Sequence, residues 1–235
     1  MSIFTNKNST VQSKTFCTLS SYRMLLVFLF LIVSAQIGIA QTTFTSNPAG
    51  GDWNLTTTWV GGIVPSGAAA TGNSVVIDGP VNIVTNLSSQ YLNITIKAGK
   101  TLTVGAGGSI TSNRLLTNNG TLTITTGRTL TIDFEGRVIN NGIINIDGAI
   151  VRGTTFEALS TYPNWGWSDG PWDFRNNVGG VINLNVGGSL TWNRNPTTFN
   201  ANINNDGTII DAGTFTNANA TNNILMNNGI LQLNE

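Results

Sequence analysis

Histidine is absent from this chain of 235 residues, and the one cysteine, Cys17, lies near its start. Beyond that point there is no thiol nucleophile, no imidazole base and no zinc site built from nitrogen or sulfur. Disulfides are excluded as well. Charge is also scarce: 9% of residues are Asp, Glu, Lys or Arg, where an average soluble domain carries roughly 25%. Formal net charge is zero, so no nucleic-acid partner is implied. Helical periodicity is missing too. After residue 40, Thr, Val, Ile and Asn dominate without an extended 3.6-residue pattern. Yet this is not a disordered polar chain, because 40% of its residues are apolar and they alternate with polar neighbours.

Residues 1–40 form a separate regime. Lys7, Lys14 and Arg23 precede an apolar stretch from Met24 to Ala35, and Gly38-Ile39-Ala40 places small residues before Gln41. A positive head, an apolar middle and a small-residue exit make the pattern of a secretory signal peptide. The apolar stretch falls short of the about 20 residues that a transmembrane helix needs. The expectation is an exported protein, secreted or held at the outer cell surface, with no membrane insertion once the leader is cleaved. Loss of the three leader cations leaves eleven acidic residues against eight basic ones, a net of −3.

What the chain has in abundance is a repeat. Asn118-Asn119-Gly120, Asn140-Asn141-Gly142 and Asn227-Asn228-Gly229 each stand before an alternating apolar run, with a variant at Asn204-Asn205-Asp206-Gly207. Gly120 to Gly142 is 22 residues, Gly207 to Gly229 is 22, and Gly142 to Gly207 is 65, close to three such units. A fixed period of this size, with a turn signal and short strands in each unit, is the signature of a solenoid. Thr101-Leu102-Thr103-Val104, Thr121-Leu122-Thr123-Ile124 and Thr129-Leu130-Thr131-Ile132 are near-copies of one phrase, and Ser189-Leu190-Thr191-Trp192 is a drifted fourth.

One such unit cannot bury its apolar face alone, whereas stacked units share a core. The expected fold is therefore all-β, a single-stranded parallel β-helix with coils of about 22 residues; the alternative is an antiparallel β meander or sandwich, since Asn-Gly also marks hairpins. The expected core comprises Leu122, Ile124, Leu130, Ile132, Ile144, Ile146, Ile182, Leu184, Leu231 and Leu233. Asn before Gly is expected to allow left-handed backbone at the corners, and stacked Asn amides to bond from coil to coil. Segment 41–72, with Trp53 and Trp59, reads as an N-terminal cap, and 73–235 as the solenoid, which ends on an uncapped strand and so is expected to continue.

Two places could carry chemistry. Asp133 and Glu135 flank Phe134, and Asp147 follows 14 residues after Asp133. Converging carboxylates could bind Ca²⁺ or act as the acid pair of a polysaccharide-cleaving enzyme; as outward-facing charges, paired with Arg137 and Arg152, they would only solubilise. The second place is an aromatic insertion at 154–177, read as a loop leaving the coil. Trp165, Trp167 and Trp172, with Asp169 and Asp173, could stack against pyranose rings; packed onto the solenoid, they would only plug an irregular coil. No resident cofactor is called for by any motif.

Trp53, Trp59, Gly61-Gly62, Val64-Pro65 and Asn73-Ser74-Val75-Val76-Ile77 resemble the opening of exported β-helix proteins of Bacteroidetes-type bacteria, and the start of the glycine-rich G8-type domain. The resemblance covers about 35 residues closely. It implies a secreted or cell-surface protein, adhesive or glycan-associated, with extracellular glycans or other surface proteins as partners. It carries over no catalytic residue. The acid that such proteins often have in the loop before Val-Val-Ile is Asn73 here, which weakens a charge or metal role at that point. The carboxylate and arginine set on a β-helix also resembles that of pectate lyases.

Overall fold

The computed structural model describes residues 42–67, 73–133, 136–153, 172–192, 202–217 and 225–234. All of them belong to the unit Gln41–Glu235. The leader reading therefore lies outside the described residues.

The architecture follows from a four-residue strand repeated at period two. In Thr121–Ile124, as in most strands, half-exposed and fully buried residues alternate, so Leu122 and Ile124 point inward and the threonines outward. Each coil has three such sides. One coil runs through Leu115–Asn118, Thr121–Ile124 and Thr129–Ile132; the next runs through Arg137–Asn140, Ile143–Ile146 and Ala149–Arg152. Coils stack in parallel and in register: Thr121 pairs with Ile143, Leu122 with Ile144 and Ile124 with Ile146. The result is two eight-stranded sheets and one six-stranded sheet. We call the sheet that contains Leu115–Asn118 the first, that of Thr121–Ile124 the second, and that of Thr129–Ile132 the third. Every strand pair is parallel; the antiparallel contact among the described residues is one bridge, Ser46 with Trp59. The parallel solenoid is thus the fold, and the meander is not.

The stack encloses one continuous core. Leu122, Ile124, Leu130, Ile132, Ile144, Ile146, Ile182 and Leu184 are all at most 1% exposed, as expected; each stabilises the fold by about 1.5–3 kcal/mol. Leu231 and Leu233 differ. They are 41% and 68% exposed, because their strand, Ile230–Leu233, pairs with Thr208–Asp211 on one side only. At the other end the third side of the first coil is a 3₁₀ turn, Thr56–Thr58, in place of a strand. There Trp53 and Trp59 are buried and meet edge to face at 5.0 Å, with Trp59 Nε1 donating to the Trp53 carbonyl at 2.7 Å.

Two kinds of corner recur along the stack. Some are four-residue turns such as Thr125–Arg128, closed by Arg128 N–H to Thr125 O, with Gly127 at φ +72°; positive φ at the third position is the mark of a type II turn. Others are two-residue bends such as Asn119-Gly120, Asn141-Gly142 and Asp147-Gly148. The reason for glycine in these bends is not left-handed backbone at the glycine itself, because Gly120, Gly142 and Gly229 do not have positive φ. It is space: a Cβ on Gly142 would run into the carbonyl oxygen of Gly120 on the coil before.

Corner length also corrects the reading of the 65-residue gap. Asn140, Asn176 and Asn205 occupy equivalent places, 36 and 29 residues apart, so two enlarged coils fill the gap rather than three regular ones. The sequence reading also extended the aromatic insertion to residue 177, but Trp172–Asn176 is a strand of the first sheet. Residues 154–171 of that segment lie outside the described residues.

Candidate functional site: the loop edge and the asparagine ladders

The three corners of the coil are not equivalent. Turns between the first and second sheets, and between the second and third, hold two or four residues throughout coils such as Leu115–Ile132 and Trp172–Trp192. The large changes of length fall at the corner from the third sheet back to the first. There the chain departs after Gly153 and returns at Trp172, departs after Trp192 and returns at Asn202, and departs after Asn217 and returns at Leu225. Departures from one corner of stacked coils line up along one edge of the solenoid. Long loops on a rigid scaffold are the usual seat of binding.

Polar side chains enter the buried interior at the base of this edge. At the last inward position of the third sheet, Ser112, Ile132, Arg152 and Trp192 succeed one another from coil to coil. Arg152 is 3% exposed and its Nη1 donates to the Ile132 carbonyl at 2.8 Å. Asn113, just past the strand, is 4% exposed. Thus a buried arginine stands directly before the tryptophan-rich insertion. Phe174, one coil on, packs edge to face on Trp192 at 5.5 Å.

The sequence-predicted residues distribute as follows. Asp133 follows the third-sheet strand Thr129–Ile132, at the loop edge, and its carboxylate stands against Gly153 of the next coil. Asp147 follows the second-sheet strand Ile143–Ile146, at a different corner, where its Oδ1 accepts from Asn185 Nδ2 at 2.7 Å. One four-residue side, about 13 Å at the usual rise per residue, lies between those two corners. These two carboxylates do not converge, so the polysaccharide-cleaving reading gains no support from them. Glu135 lies outside the described residues. So do Trp165, Trp167 and Asp169. Trp172 begins the first-sheet strand and pairs by its backbone with Asn202, next to a register shift. Among the described residues no group of three or more acidic side chains is placed to hold a metal.

Sequence reasoning anticipated amide stacking but not its form. The inner ladder runs through the first sheet's last residues. Asn118 Nδ2 donates to Asn140 Oδ1 (2.8 Å), Asn140 to Asn176 (2.7 Å), Asn176 to Asn205 (2.7 Å) and Asn205 to Asn227 (2.6 Å). The first four side chains have no solvent exposure. Backbone groups fix the direction of each amide. Gly142 N–H donates to Asn140 Oδ1, while Asn140 Nδ2 also donates to the Val181 carbonyl; a flipped amide would oppose like groups at both contacts. The outer ladder runs in the opposite sense: Asn141 donates back to Asn119 (2.8 Å), and Asn177 back to Asn141 (2.6 Å). Asp206 takes the next place. It accepts from Asn228 at 3.0 Å but, as a carboxylate, has no proton to pass to Asn177. The signal for the inner ladder was the Asn two places before Gly, in each Asn-Asn-Gly and in Asn205-Asp206-Gly207, together with Asn176, which lacks the following glycine of the motif.

Comparisons of the chain with models of known protein families, with curated proteins and with solved structures found no match.

Proposed function

We propose that this protein is an exported, structural or adhesive β-solenoid that displays a binding surface at the cell exterior, with extracellular glycans as the ligands of its loop edge. One observation carries the reading: the insertions, the tryptophan-rich one among them, all leave the coil at the same corner. The amide ladders and apolar core make the coil a stiff support, and Trp and Tyr in segment 154–171 supply faces suited to pyranose stacking. The signal-peptide pattern of residues 1–40 supports export, and the likeness of residues 51–85 to G8-type openings supports a surface role.

The test is a glycan array probed with the protein and with a variant whose segment 154–171 is replaced by a Gly-Ser linker. Loss of binding in the variant, with an unchanged circular dichroism melt, is the expected result. Equal binding by both proteins, or no binding by the native one, refutes the glycan reading. N-terminal sequencing of protein recovered from the medium or cell surface should begin at Gln41.

A further inference from the structure

We propose that the outward face of the third sheet adsorbs to ice, the solid lattice of water. This inference does not rest on the glycan reading, which concerns a different surface. Thr111, Thr131, Val151, Thr191 and Thr216 form one file across five paired strands. A parallel file, from Ser109 to Thr214, holds Ser or Thr at every place but Ala149. The only charged residue in these strands, Arg152, points inward and is 3% exposed. No aromatic side chain stands on the outward side of the face either; Trp192 is buried and Phe215 packs against the core.

Three features select the ligand. First, the hydroxyls are uncommitted: among the described residues, none of Thr111, Thr131, Thr191 and Thr216 bonds within the protein, whereas Ser109 Oγ donates to Asn86 and Thr125 Oγ1 to a backbone carbonyl. Second, they form a mesh. Neighbouring strands lie about 4.8 Å apart, and residues two apart along a strand about 6.7 Å, which is near the oxygen repeat on the prism faces of hexagonal ice. Third, β-branched side chains in ranks are held in few rotamers, so little freedom is lost on contact. Charge complementarity points the same way. A polyanion finds no counter-charge here and a sugar ring no stacking platform, while an uncharged lattice of donors and acceptors meets hydroxyls at matching places, with methyl groups between them.

The test uses the full chain. Thermal hysteresis, the gap between melting and growth of a seeded crystal, is measured together with partition of the protein into slowly grown ice. The native protein should show a gap and enter the ice. Thr131→Lys and Thr191→Lys should each lose both, while Thr123→Lys, on the second sheet, should retain both; melts by circular dichroism establish that each variant is folded. A native protein that shows no gap and stays in the liquid overturns the proposal. So does full activity in both third-sheet variants, or adsorption to microcrystalline cellulose or chitin without adsorption to ice. None of these outcomes bears on the 154–171 replacement, so the two readings fail separately.

Discussion

Asn140→Ala should be among the most damaging single truncations in this protein, although it removes no apolar surface. Asn140 is fully buried. It donates to Asn176 at 2.7 Å and accepts from Asn118 at 2.8 Å, with longer contacts to Gly142 and Val181. Two ladder bonds lost at about 1 kcal/mol each, plus about 1–3 kcal/mol for stranding the Asn176 oxygen away from water, give about 4 kcal/mol. Asn227 is the control. It has the same ladder role but is exposed, and it takes one bond from Asn205; water replaces that bond, so Asn227→Ala should cost no more than about 1 kcal/mol. The assay is denaturant unfolding followed by circular dichroism, with midpoints compared under one probe because stacked repeats need not unfold in two states. Equal costs at the two positions, or an Asn140→Leu variant more stable than the native protein, would refute the reasoning. Asn140→Asp adds a test by sign. Burial raises the folded-state pKa above the unfolded value of about 3.9. The folded form then binds more protons, so this variant should gain stability as pH falls through the folded pKa and be weakest above it.

Other predictions follow from the corners and the surface. Gly142→Ala, whose Cβ would meet the Gly120 carbonyl, should lower the melting temperature far more than Gly187→Ala, where nothing lies within 4 Å of the added carbon and only the left-handed backbone, at about 1–2 kcal/mol, opposes it. Hydrogen bonding from Lys97 at 2.9 Å holds the Asp78 carboxyl below its ordinary pKa, with the charges of Lys97 and Lys100 adding to the effect. Its contribution to stability is therefore present above the unfolded pKa and is lost as pH falls through the lowered folded value. An NMR titration should show Asp78 returning toward the ordinary carboxylate range in Lys97→Ala.

The fold was legible because the second sheet keeps its phrase. Thr101–Val104, Thr121–Ile124, Ile143–Ile146 and Val181–Leu184 all place an aliphatic residue at the second and fourth positions with Thr or Asn between them, and short corners keep the first three of them nearly evenly spaced. The first sheet was less legible. In Leu115–Asn118 and Arg137–Asn140 the last inward residue is an asparagine, which in sequence looks like the start of a turn, although here it is a rung of the buried ladder. The coil count failed between Gly142 and Gly207 because corner insertions lengthen the chain without adding sides. The candidate carboxylates illustrate the same limit. The 14 residues between Asp133 and Asp147 cover an arc of the coil rather than a full circuit, so the next coil brings Asp147 to the wrong corner. No local pattern could have marked the third-sheet face, since it exists only once five strands from separate coils align.

Confining the large changes of length to one corner has an evolutionary consequence. Residues gained or lost after Gly153, Trp192 or Asn217 leave the pairing of Ile144 with Ile182 and of Ile182 with Ile209 untouched. A lineage can therefore remodel that margin freely, swapping one recognition element for another, while the hydrogen-bonded spine beneath it is inherited unaltered.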